Sequence, residues 1–243
     1  MPACRFFPKT DHLTALFRGL QLFAVGAVLQ GAAYGTTLAT NIGSPPNGDS
    51  FIDGINGAAE GFTITGSNWN LTDAIFTLFD GINGSPAPAI DVTTSPFAVG
   101  LYADSGGQPN GSALVILTLT TNTIAGGLGT YTATPGSPFE LLAGTTYWLV
   151  LNDHDPSLLL TWRTTSSAPT TDGATYDGGV TGGMTSSTQV SNGTFVTAGT
   201  HMFQIDADPV TSGGAPEPGT LFLLGGGLLG LSRRRVRWIR AKS

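Results

Sequence analysis

Asn152-Asp153-His154-Asp155 puts three oxygen-bearing side chains and an imidazole within four residues. Hard cations such as calcium are held by several oxygens, so Asp153, His154 and Asp155 form a candidate cation loop. The bland alternative is a polar turn, because Asn and Asp bond their own backbone. No glycine-spaced calcium pattern surrounds the tetrapeptide, which favours the turn. Asp104, followed by Gly106-Gly107 and Asn110-Gly111, has the same two readings. There a hairpin tip that needs positive φ is preferred over a cation or sugar loop. Trp69, beside Ser67-Asn68, is a candidate platform for stacking a sugar ring. Trp148 and Trp162 lie in strongly apolar runs that suit core packing. Serine-hydrolase chemistry has little support: no Gly-x-Ser-x-Gly elbow occurs in the central region. A glycosidase needs two facing carboxylates, and no spacing marks such a pair. The single cysteine, Cys4, precedes the first apolar run, which leaves no thiolate chemistry after it. No catalytic residue and no firm metal site are assigned, and calcium is the one candidate cofactor.

The charges divide the chain more sharply than any motif in its centre. The net charge of −6 conceals ten basic residues, of which three precede residue 19 and six follow residue 232. Arg163 is the one base between residues 36 and 215, against fourteen acids, a formal charge of −13 for that span. Such a surface repels nucleic acid and anionic membrane. It suits a soluble body, cation binding or contact with neutral polymers.

Both ends read as addresses. Arg5, Lys9 and Arg18 precede an apolar run from Leu20 to Leu29, then Gly31-Ala32-Ala33 and Tyr34-Gly35. Basic, apolar and small-residue zones in that order form a signal peptide, expected over residues 1–35. Near the other end, Pro216-Glu217-Pro218-Gly219 interrupts regular structure. An apolar stretch rich in Leu and Gly follows, then Arg233-Arg234-Arg235. The twelve residues Thr220 to Leu231 make about 18 Å of helix, short for a bilayer core of ~30 Å. Snorkelling arginines and local thinning would accommodate it. Six basic residues beyond it place that end in the cytoplasm.

This ordered triple resembles the PEP-CTERM sorting signal, over about residues 215–237. The resemblance implies recognition by an exosortase, a membrane enzyme that releases its substrate outward. The implied sorting residues are Pro216, Glu217, Pro218, Gly219, Arg233, Arg234 and Arg235.

Between the addresses, residues 36–210 show short apolar runs parted by Gly, Asn, Asp and Pro. Strands are expected at Phe62–Thr65, Phe97–Tyr102, Ala113–Leu119, Tyr147–Leu151, Leu158–Arg163 and Met202–Ile205. Tyr147–Leu151 is apolar at every position, so it is expected at the centre with both faces covered. Residues 69–82 fit a helix face through Leu71, Ile75, Leu78 and Ile82, and a strand through Ala74, Phe76 and Leu78; neighbouring strands tilt the choice toward β. The fold class expected is all-β, a β-sandwich of jelly-roll type. Leu101–Ser112 and Leu142–Leu151 resemble the choice-of-anchor extracellular domains. That resemblance implies a secreted β-sandwich and no set activity.

The domain plan is then a signal peptide over 1–35, the β domain over 36–210, and a Pro-Glu-Pro linker over 211–219. A transmembrane sorting helix over 220–232 and a basic cytoplasmic tail over 233–243 complete it. The function expected is that of an exported, non-catalytic envelope or matrix protein associated with exopolysaccharide. Its partners would be the general secretion machinery and an exosortase, with no nucleic acid. The alternatives are a calcium-stabilised carbohydrate-binding module and, more distantly, a secreted hydrolase.

Overall fold

The computed structural model describes residues 35–52, 56–82, 85–95, 97–153, 160–186 and 189–210. The expected signal peptide, sorting helix and basic tail lie outside those residues. The described part is all-β. Its strands are β1 (Thr36–Thr40), β2 (Pro46–Ile52), β3 (Asn56–Ile64), β4 (Trp69–Ile82), β5 (Ser85–Pro86) and β6 (Ile90–Asp91). Next come β7 (Ala98–Asp104), β8 (Pro109–Leu119), β9 (Thr123–Ile124), β10 (Gly127–Pro135), β11 (Phe139–Leu141) and β12 (Thr146–Asn152). The last six are β13 (Leu160–Thr165), β14 (Thr170–Thr171), β15 (Ala174–Ser186), β16 (Gln189–Thr197), β17 (Thr200–His201) and β18 (Phe203–Pro209).

Sixteen strands share one hydrogen-bonded sheet, ordered β14-β1-β18-β4-β10-β8-β16-β15-β3-β12-β7 along its main path. Every ladder with a resolved register is antiparallel, as in β3–β12 and β12–β7. The sheet curls until β7 also pairs with β8, joining Val99 to Leu117 and Leu101 to Val115. Six strands therefore close a circuit: β8, β16, β15, β3, β12 and β7. Closure removes two exposed edges, which would otherwise invite pairing with another chain.

Each of those six strands sends a side chain to one small apolar cluster: Ala113, Phe195, Val180, Ala59, Trp148 with Val150, and Tyr102. The opposite faces of β3 and β12 carry Ala58, Phe62, Tyr147, Leu149 and Leu151 into a larger core with Leu38, Phe76, Trp162 and Phe203. β12 thus buries both of its faces, which is why its sequence is apolar without alternation. Glycine makes this packing possible at Gly61, opposite Trp148 in the ladder. A Cβ there would lie 2.8 Å from the indole.

β4 resolves the ambiguous segment. It is a fourteen-residue strand whose Ala74, Phe76 and Leu78 are fully buried. It pairs with β10 from Gly127↔Asp80 to Ala133↔Ala74 and with β13 at Leu160↔Asp80. Its helical spacing has no consequence, because ladders on both sides satisfy its backbone. In β13, Leu160 and Trp162 are buried while Arg163 is half-exposed. In β18, Phe203 and Ile205 are buried and Gln204 is half-exposed. β18 follows the alternation expected of a strand with one covered face, whereas β13 does not: Thr161, expected on the outer face with Arg163, is buried too, because β2 and β4 flank it on both sides.

Candidate functional site

The sequence candidates do not converge. Trp69 opens β4 opposite Leu141 and is half-buried, packed on the larger core. Its ring lies against Gly173, whose added Cβ would come within 3.2 Å of Cζ2. Its Nε1 is enclosed, with no hydrogen-bond partner among the described residues. An indole so placed offers little free face to a sugar. Asp153 is fully buried just beyond β12, while His154 and Asp155 lie outside the described residues. Among the described residues no group of three metal-ligating side chains occurs. Asp104 anchors rather than binds: its Oδ1 accepts the Trp148 Nε1 proton at 2.9 Å. In the tip that follows, Gly106 and Gly107 take φ of 68° and 80°. Sterics disfavour such values for any residue with a Cβ.

What the fold does assemble is a buried acid–base pair that the sequence does not announce. Glu60 on β3 and His201 on β17 are both fully buried. Glu60 Oε1 lies 2.5 Å from His201 Nδ1 and also accepts the His201 backbone N–H. The His201 ring stacks on Trp162, with centroids 4.6 Å apart and planes at 26°. The Trp162 Nε1 donates to the Met202 carbonyl at 2.8 Å. Asn41 clamps the same stretch: its Nδ2 donates to the His201 carbonyl at 2.8 Å. Its Oδ1 accepts from the Phe203 amide at 2.7 Å. Burial pushes the Tyr176 hydroxyl well above its ordinary range, and the charge of Glu60 adds to that.

Chemically, this pair has the partners of a general acid–base couple but no access for a substrate. Buried charge is tolerated only when it is paired. The pair pins β17 to β3, across 141 residues of chain. Gly179 faces Glu60 in the β15–β3 ladder, and a Cβ there would press within 2.6 Å of Oε1.

A second meeting of charges joins Asp73 on β4 to Asp206 on β18. Burial, then the charge of Asp206 and a hydrogen bond to it, raise the Asp73 carboxyl to about 6. Asp206 accepts from Thr37 Oγ1 at 2.6 Å and from Gln204 Nε2 at 2.7 Å. Two carboxyls in direct hydrogen-bond contact stand closer than the ~5 Å or more that a glycosidase pair needs to span a sugar. Carboxyls in that contact do not flank a glycosidic bond.

The remaining cation of the body is also engaged. Arg163 Nη1 meets both oxygens of Asp49, at 2.5 and 2.7 Å. The body therefore presents no unpaired base among its described residues.

A match to a known motif lies in the tail. Residues 215–236 match the PEP-CTERM protein-sorting motif. The match spans Pro216, Glu217, Pro218, Gly219, Arg233, Arg234 and Arg235, all outside the described residues of the structure. PEP-CTERM signals mark exported proteins that are anchored in the membrane before an exosortase, a membrane enzyme, processes them. No curated protein and no solved structure matches the chain.

Proposed function

We propose that the chain is the non-catalytic cargo of an exosortase pathway, delivered to the cell envelope or beyond as an anionic β body that associates with exopolysaccharide. The observation that carries this reading is the PEP-CTERM motif at residues 215–236, beside a body with one base among residues 36–215. The charge pattern fits the route. The cluster Arg233-Arg234-Arg235 stays on the cytoplasmic side, and an acidic body meets no attraction from anionic lipid.

Support for a non-catalytic body comes from how its acids and bases are used. Glu60 is occupied by His201 in the interior, Asp73 by Asp206, and Arg163 by Asp49. Support for a neutral polymer as the associated material comes from charge alone: a −13 span repels polyanions.

The test is processing in the producing cell. Wild-type protein recovered from the envelope should lack its C-terminal tail. In a strain without the exosortase it should stay full-length in the membrane fraction. Export and release of a chain that still ends at Ser243 would overturn the reading.

A further inference from the structure

Phe51 and Val196 are large apolar side chains that remain 60% and 65% exposed, and they line the same cleft. The cleft also takes in Asp49, Ser50, Asn56 and Thr181. It is open-sided and holds about 530 Å³, within the ~300–1,000 Å³ common for small-molecule sites. Its walls come from separate parts of the sheet. Asp49, Ser50 and Phe51 belong to β2, which pairs only with β13 among the described strands. Thr181 and Val196 are cross-strand partners on β15 and β16, so their side chains share a face. That face begins in the larger core at Ala58, the partner of Thr181 on β3, and reaches solvent at Val196. Their chain neighbours Val180 and Phe195 point into the closed six-strand circuit.

We propose that this cleft binds a chain of neutral sugar residues, with Phe51 stacked on a pyranose face and Asp49 accepting bonds from its hydroxyls. The proposal rests on the polysaccharide association put forward above and names its site. A sugar ring has an apolar C–H face and a polar rim, and the cleft offers one aromatic face beside a polar wall. A purely apolar ligand would make no use of the polar side chains of Asp49, Ser50 and Thr181. A polyanion would meet the carboxylate of Asp49, whose partner Arg163 already contacts both of its oxygens. That contact of a single Nη1 with both oxygens holds the carboxylate, so less freedom is lost when a hydroxyl binds.

The experiment uses the full chain in detergent and a panel of neutral probes: cellohexaose, laminarihexaose, mannohexaose and isomaltohexaose. Polygalacturonate serves as the anionic control. We expect binding to at least one neutral probe, weakened about tenfold or more by Phe51→Ala, since 1.4 kcal/mol is a factor of ten. Leu128→Ala, at an equally exposed apolar site outside the cleft, should leave affinity unchanged. Melting temperature should be the same in both variants, because both side chains already face solvent. If Phe51→Ala binds like the wild type, the cleft is wrong and the polysaccharide association stands. If no neutral probe binds, both fail, while tail processing still decides the sorting claim separately. Preference for polygalacturonate, or a dimer that Phe51→Ala dissolves, would overturn the sugar assignment.

Discussion

In the body, residues 36–210, one arginine faces fourteen acids; in residues 233–243, six basic residues meet no acid at all. The tail's information is linear. A proline-flanked glutamate, an apolar run and an arginine cluster act through order and proximity, so a short match identifies them. The body's information is distributed. Glu60 and His201, or Asp73 and Asp206, acquire meaning only when strands far apart in sequence are laid side by side. On the proposed function, sorting and stability are encoded separately, and changes in one region should leave the other's property intact.

The largest expected effect is at the tail. Deleting residues 216–243 should abolish exosortase processing entirely and leave the thermal transition of the body where it was. Immunoblotting with differential scanning calorimetry would register both. A collapsed transition in the truncated protein would break the separation.

Inside the body, His201→Ala should cost about 3–5 kcal/mol in a urea titration, because it strands a buried Glu60 without its partner. Any variant that still folds should be sorted normally. Replacing both members by apolar residues of similar size should recover much of that loss, as buried pairs often contribute little net stability. Gly61→Ala comes next, at about 1–3 kcal/mol, since a methyl group at that position collides with the Trp148 indole. A measured cost near zero would mean that the ring has room to move.

Asp73 gives a smaller, pH-dependent effect. Its folded value is raised to about 6 from 3.8, so the native state holds the proton more tightly than the unfolded chain. The stability from this group is therefore full below about pH 4 and is lost as pH rises through 6. The site is half-exposed, so screening reduces the effect to about 1 kcal/mol. Asp73→Asn cannot ionise. Its stability relative to wild type should improve by about that amount between pH 4.5 and 7.5 in paired urea titrations. A pH-independent difference would contradict the raised Asp73 value. The smallest effect belongs to Arg163→Ala, at about 1 kcal/mol or less in the same assay, because its contact with Asp49 is near the surface and screened by salt.

Much of the fold was legible in the residues. Tyr147–Leu151 is apolar throughout because both faces of β12 are covered. The alternation at Phe203–Ile205 matches the inward residues, and Trp148 and Trp162 are core residues as expected, but Thr161, expected to face outward beside Arg163, is buried between two ladders. Other strands were silent. β15 and β16 are rich in Gly, Thr and Ser, and their few apolar residues, such as Val180 and Phe195, are too widely spaced to give a periodic signal. Backbone ladders with β3 and β8 hold them instead. The closed circuit was equally hidden, since six strands each contribute only one or two residues to its interior. Glu60 sits in Ala-Ala-Glu-Gly-Phe, a run that gives no hint of a histidine 141 residues away. Trp69 has polar neighbours in the sequence, while its ring packs on the core and against Gly173, a contact between residues more than a hundred apart.

The measurement that bears most directly on the central claim is intact-mass spectrometry of the protein recovered from the envelope of producing cells, with and without the exosortase. The account predicts a wild-type mass short of everything beyond the Pro-Glu-Pro region, and a retained tail when the enzyme is missing. A single species carrying Arg233-Arg234-Arg235 and Ser243 in both strains would contradict it.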